Sequence, residues 1–269
     1  LSGWMGLQQW PVQTMETQNA LTLRIGPPQT LLRTPLEQAR WAPDGQTLAV
    51  TSPEGIQLLE LGPPLQVRHR GDHPNATHLA FSGDGDWIAT GNWQGQGVRV
   101  WNAHTGSLVT NLPLGENVAV AFSPQSRWLV TGAPEEYRFW KVGSWEIAHA
   151  VPRQHAGDMF GSMVFSPDGR TLALVRGRNS DLKLMEADTG REWATLEAGE
   201  PLCFSPRGNW LVTSEADSLL RLWDLRRIRQ QLATLELDWD APLGEPEKPF
   251  ASEKPLKVIV DLAEAPAGQ

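Results

Sequence analysis

The chain has 269 residues, 40% of them hydrophobic and 20% charged, and a formal net charge of −8. That balance describes a folded domain, and its acidity argues against nonspecific nucleic-acid or membrane-surface binding. The lone Cys203 excludes an internal disulfide and a cysteine metal cluster, and no apolar run approaches the ~18 residues that would span a bilayer.

The N-terminal stretch LSGWMGLQQW has neither a basic start nor a sustained apolar core, so it is not read as a signal peptide. It also lacks an initiator Met, which suggests a piece of something longer. Five internal copies then follow: WAPDGQTLAVTS from Trp41, FSGDGDWIATGN from Phe81, FSPQSRWLVTGA from Phe122, FSPDGRTLALVR from Phe165 and FSPRGNWLVTSE from Phe204. Their leading aromatics are 40, 41, 43 and 39 residues apart, and a Trp or Thr stands six residues after each. A degraded copy opens the chain, because Trp4 and Trp10 keep the six-residue step and LRIGPPQ (23–29) echoes LELGPPLQ (59–66). Numbered in chain order, this gives six copies.

Inside each copy the local chemistry is β. An apolar run such as NVAVAFS (117–123) reads as a buried strand, and a turn rich in Asp and Gly leads into a second, such as WLVT. A third strand follows as VRVW (98–101), YRFW (137–140) or LRLW (220–223), and a shorter fourth leads into the next copy. Thirteen Trp beside 25 Gly and 21 Pro fit short strands wedged apart by large rings and joined by tight loops. Four strands in about 40 residues is the pattern of a propeller blade.

FSPDGRTLAL, VRVWNAHTG and LRLWDL resemble WD-repeat β-propellers, and the resemblance covers nearly residues 1 to 240. It implies an all-β propeller with six recognisable blades, the first degenerate, and room for seven in a fuller protein. The family ends its third strand in Trp-Asp, which only Trp223-Asp224 keeps here; Trp101-Asn102, Trp140-Lys141, Met185-Glu186 and Leu59-Glu60 depart from it. The family's Gly-His pair is missing, although His73 and His155 lie close to the expected places. Its buried His–Ser/Thr–Trp network is therefore expected to be incomplete, with Thr90, Thr131 and Thr213 beside Trp101, Trp140 and Trp223 retaining two members.

After the last copy, Leu225, Ile228, Leu232 and Leu235 step by 3, 4 and 3, which predicts an amphipathic helix over 225–236 capped by Asp224. Arg226, Arg227 and Arg229 are expected on its solvated side. Residues 241–255 read as a Pro- and charge-rich linker, and 256–262 (LKVIVDL) as a tail strand. That strand would supply the last blade's missing outer strand, pair with the first blade, or begin a further domain. The segment from Arg226 to Pro242 also resembles the close of the WD-repeat region in bacterial multidomain proteins, some with an upstream serine/threonine kinase domain.

No nucleophile elbow, metalloprotease helix, phosphate-binding loop or paired cysteines occur in the sequence. Asp44, Asp84 and Asp168 recur at one repeat position and are expected to serve the hairpin. His104 and His149 are read as surface histidines, and Cys203 as a buried small hydrophobe. The expectation is a noncatalytic protein or peptide-binding scaffold with no cofactor or metal, monomeric, cytoplasmic, and without nucleic-acid or membrane contact. The alternative is a ligand-sensing or regulatory domain of a larger signalling protein. Partner-binding residues are sought where loops depart from the repeat: Trp93, Met159 and Phe160 as apolar contacts, Arg153, Arg176 and Arg178 as partners for acidic groups.

Overall fold

Copies three to six turn their first corner with the same hydrogen bonds. In the third copy the Ser82 N–H donates to the Trp87 carbonyl at 2.9 Å, and the Ser82 hydroxyl oxygen accepts the Trp87 N–H at 2.9 Å. Ser123 with Trp128, Ser166 with Thr171 and Ser205 with Trp210 repeat both bonds. The turn needs one residue at positive φ, supplied by glycine at 45, 85, 169 and 208 and in the fourth copy by Ser126. Asp44 accepts the N–H groups of Gln46 and Thr47, and these bonds hold its carboxyl below the usual range. The recurring aspartates are corner residues, as their repetition implies.

The computed structural model describes residues 2–3, 5–17, 20–62, 64–95, 97–153, 161–176, 181–197, 199–215, 219–239 and 256–262. The first copy contains β1 (Ser2–Gly3), β2 (Gly6–Gln9), β3 (Val12–Glu16), β4 (Leu21–Ile25) and β5 (Gln29–Leu32). Blade 2 is β6 (Gln38–Trp41), β7 (Thr47–Ser52), β8 (Gly55–Glu60) and β9 (Gln66–Asp72). Blade 3 is β10 (Ala76–Phe81), β11 (Trp87–Asn92), β12 (Val98–Asn102) and β13 (Leu108–Leu112). Blade 4 is β14 (Ala119–Phe122), β15 (Trp128–Gly132), β16 (Glu136–Lys141) and β17 (Ile147–Pro152). Blade 5 is β18 (Met163–Phe165), β19 (Thr171–Val175), β20 (Asp181–Glu186) and β21 (Glu192–Glu197). Blade 6 has β22 (Glu200–Phe204), β23 (Trp210–Ser214) and β24 (Leu220–Asp224), then helix α1 (Leu225–Ala233) and, further on, β25 (Leu256–Val260). Every neighbouring pair within blades 2 to 6 is antiparallel.

The core lies between blades. On the third strand, alternate residues face the following blade: Val98 and Val100 pack with Val118, Phe122, Leu129 and Trp140 of blade 4. Tyr137 and Phe139 meet Phe165, Leu172, Leu174 and Met185 of blade 5 in the same way. Leu182 and Leu184 join Leu211, Phe204 and Trp223 of blade 6. All six of these facing residues are fully buried. At ~25 cal/mol per Å² of apolar surface, such stacked faces supply most of the favourable folding energy.

Three expectations are corrected here. The first copy does not form one sheet: β1, β2 and β5 pair together, whereas β3 and β4 leave them and form a separate sheet with β25. Gly26-Pro27-Pro28 explains the break, since two prolines in succession offer no N–H with which β4 could continue its ladder. Trp4, which suggested the first-copy register, lies outside the described residues. Second, Arg229 is not on a solvated face. It is 7% exposed, donates from Nε and Nη2 to both carboxylate oxygens of Asp238 at 2.9 and 3.0 Å, and lies over the Trp239 ring. The helix ends at Ala233, so Leu235 falls beyond it and is exposed. Third, Cys203 is exposed rather than buried. Asp224 caps α1 as its position suggests, accepting the Arg227 N–H at 3.0 Å.

Candidate partner-binding face

Up-and-down blades put their loops at two ends. The hairpins joining first and second strands occupy one end; the loops joining second to third strands, and one blade to the next, gather at the other. Trp93 follows β11 at this second end and is 38% exposed. Its backbone is clamped between loops. The Trp93 N–H donates to the Asn75 carbonyl at 3.1 Å, and the next N–H, of Gln94, donates to Asn117 Oδ1 at 2.9 Å. Asn75, Gln94 and Asn117 all stand at positive φ, which asparagine tolerates better than most side chains. The result is an aromatic side chain on a rigid mount.

The arginines expected beside it are tied into the protein. Arg153 is half-buried, donates from Nη1 to the Ala133 carbonyl at 2.8 Å, and lies over the Tyr137 ring at 5.5 Å. Desolvation lowers its pKa from the ordinary arginine value. The Tyr137 hydroxyl beneath it donates to the Val175 carbonyl at 2.6 Å, and burial raises its pKa. Arg176 donates from Nε to the Pro152 carbonyl at 3.1 Å and pairs with Glu192 at 3.6 Å. Arg176 therefore ties blade 5 to blade 4, whereas Arg153 braces the loops of blade 4. Met159, Phe160 and Arg178 lie outside the described residues. Of the three candidates among the described residues, Trp93 is an exposed aromatic and the two arginines carry bonds within the protein.

Reasoning from sequence missed a complete buried network in blade 3. His73 Nδ1 lies 2.6 Å from Thr90 Oγ1, which also accepts the Trp101 indole N–H at 2.9 Å. Asn92 Nδ2 sits 3.4 Å from His73 Nε2 and donates to the Gly97 carbonyl at 3.1 Å. The expected gap is filled here because His73, two residues after Gly71, reaches the threonine without the family dipeptide. Desolvation, then the Arg99 charge, lowers its pKa to about 4. Blades 4 and 6 keep the indole bonds, Trp140 to Thr131 at 3.0 Å and Trp223 to Thr213 at 3.1 Å. His149 also departs from expectation: it is half-buried and stacked on Phe139 with ring centroids 4.0 Å apart. His104 is exposed and pairs with Asp86 at 2.9 Å.

At the hairpin end, a cleft of about 240 Å³ opens between blades 5 and 6 and the helix, lined by Arg170, Arg207, Arg226, Asp168, Leu225 and Trp239. Among the described residues no three His, Cys, Asp or Glu side chains are grouped to hold a metal ion. No described helix is long and apolar enough to cross a membrane.

Comparison with known proteins agrees with this architecture. The family model of the WD domain, G-beta repeat, matches residues 64–102 and 202–224. An uncharacterised WD repeat-containing protein of Synechocystis sp. is 28% identical over 93 residues, which span 34% of this chain and 27% of that protein's length. The Myceliophteria thermophila Cps50 (Swd1) beta-propeller domain superposes with a TM-score of 0.60 at 15% identity, over 80% of this chain and 68% of that one. Kuenenia stuttgartiensis hydrazine synthase superposes with a TM-score of 0.55 at 15% identity, over 67% of this chain and 56% of its own. At these identities the structural likeness concerns the fold alone.

Proposed function

The chain is a WD-repeat β-propeller, and from that premise we propose that it is a noncatalytic scaffold binding a protein or peptide through the loop-rich end around Trp93. The fold is typically a platform for protein interaction. One observation carries the choice of end: an indole half-presented to solvent on a backbone locked by Asn75 and Asn117. Binding energy concentrates in aromatic anchors that lose little entropy on docking, and a clamped tryptophan fits that description. Arg153 and Arg176 act in this reading as supports that hold the surrounding loops, rather than as contacts for acidic groups.

The test is positional cross-linking. A photoreactive residue at position 93 should capture a discrete partner, and one at the exposed Gln46, in a hairpin at the opposite end, should not. Trp93→Ala should weaken that capture at least tenfold with thermal stability little changed. Capture from position 46 alone would move the interface to the hairpin end and overturn the assignment.

A further inference from the structure

The residue after each third strand bonds its N–H to the carbonyl of the residue before the second strand: Ala103 to Asp86, Val142 to Arg127, Ala187 to Arg170 and Leu225 to Asn209. The side chain that follows is thereby set beside these corners. In blade 3 it is His104, which meets Asp86 at 2.9 Å. In blade 5 it is Asp188, which pairs at 2.7 Å with Arg127 at the same corner of blade 4. In blade 6 it is Arg226. The corresponding corner residues are Asn209 in its own blade and Arg170 in blade 5, one neutral and the other of the same charge.

Arg226 lies partly buried in the first turn of α1, and its Nε is shielded from solvent with no hydrogen-bond partner among the described residues. A cationic donor in that state is costly, and folded proteins almost always supply an acceptor. Arg226 and Arg170 both line the cleft of about 240 Å³ between blades 5 and 6, and Arg207, at the corner of blade 6, lines it with them. The cleft's fourth arginine, Arg229, is held by Asp238. The lining carboxylate, Asp168, accepts the Ser166 hydroxyl at 2.6 Å and the Arg170 N–H at 3.1 Å. Like charges around one hollow repel, and an anion between them reverses that repulsion. The remaining wall is apolar, with Phe204, Leu225 and Trp239. The Trp239 ring is fixed by stacking on Trp193, centroids 5.6 Å apart and planes 7° from parallel.

We propose that this cleft binds a small phosphate monoester, with the phosphoryl group between Arg170, Arg207 and Arg226 and the apolar part against Phe204, Leu225 and Trp239. The three arginines come from separate elements: the corners before β19 and β23, and helix α1. A phosphoryl group presents three acceptor oxygens and can bond to all three, whereas a carboxylate offers two coplanar oxygens suited to a single guanidinium fork. With three arginines around it and one aspartate, the site also suits a charge of about −2 better than −1. Asp224 already caps α1, so the arginines rather than the helix terminus hold the anion. The volume of about 240 Å³ is below the ~300 Å³ at which pockets for drug-sized molecules begin, so the ester is a small one. This site is at the opposite end of the blades from Trp93 and does not rest on the partner-binding reading.

Calorimetric titration of the 269-residue chain with phenyl phosphate should show one saturable site with a Kd of about 1 mM or tighter. Benzoate has the same ring on a planar carboxylate, and inorganic phosphate has no apolar part; each should bind roughly tenfold more weakly. Arg226→Gln should weaken phenyl phosphate by about tenfold or more, as should Arg170→Gln. Arg170 is on an exposed corner, so its variant carries the test should Arg226→Gln fail to fold. Arg227→Gln, at an exposed neighbour outside the cleft, and Trp93→Ala should leave the affinity unchanged. Absence of saturable binding overturns the proposal, and so do arginine variants at 170 and 226 that bind like the parent. An equal loss from Arg227→Gln overturns it too, by showing diffuse charge attraction in place of a site. Benzoate or inorganic phosphate binding as tightly as phenyl phosphate overturns the ligand class.

Discussion

Leu184 in blade 5 and Leu222 in blade 6 stand at the same rung of the same ladder, and one is fully buried while the other is 63% exposed. Their local sequences, LKLM and LRLW, differ little. The lesson is that in a stacked architecture a residue's burial belongs to its neighbour's sheet as much as to its own. A blade forms its hydrogen-bonded strands alone, but its apolar face contributes stability only when another blade removes it from water.

The sharpest way to break this contrast is to empty the middle of the stack. Phe139→Ala, at the rung of Leu222 but between two covered faces, should cost about 3–5 kcal/mol, read by chemical denaturation. The same experiment sets the scale for everything below.

Acid should act on blade 3 next. His73 and His78 both have pKa values lowered to about 4, by desolvation first and then by nearby Arg99 and Arg40 respectively. Each is folded in the neutral form and takes up a proton more readily when unfolded. Its contribution is therefore intact above the ordinary value near 6.5 and is lost as pH falls from there towards 4. For His73 the loss is on the order of 3 kcal/mol. His73→Gln should flatten that part of the stability–pH curve. The sixth copy has no part in it, since the sequence contains no histidine after position 155.

Smaller effects test the indole bonds. Trp101→Phe leaves Thr90 with one partner fewer in a dry site and should cost about 1–2 kcal/mol, whereas Trp223→Phe, only partly buried, should cost less. Leu222→Ala closes the series with a change within about 0.5 kcal/mol for the isolated chain, as expected of a surface position. A large loss there would show that the face is covered.

Much of the fold was legible from repetition. Ser-x-x-Gly corners, the six-residue step to Trp or Thr and the alternating third strands each encode bonds made within a few residues, so spacing alone exposes them. The recurring aspartates were legible as structural for the same reason. The candidate site was less so. Trp93 could be singled out because an apolar residue interrupts a polar loop, but Arg153 and Arg176 look alike in sequence whether they face a partner or bond to the protein's own carbonyls. His73 was placed near the expected position but left out of the network because its dipeptide departs from the family pattern, although its side chain arrives at the same threonine. Arg229 reads as solvated on a helical wheel; only Asp238 and Trp239 folding back on it reveal a buried cation.

The sequence by itself determined the local elements, because strand alternation and turn chemistry act over distances of a few residues. Tertiary structure alone decided which apolar faces are covered, how the first copy divides between two sheets, and where β25 pairs. Those outcomes depend on which surfaces meet, and hydrophobic burial is a property of the contact rather than of either strand.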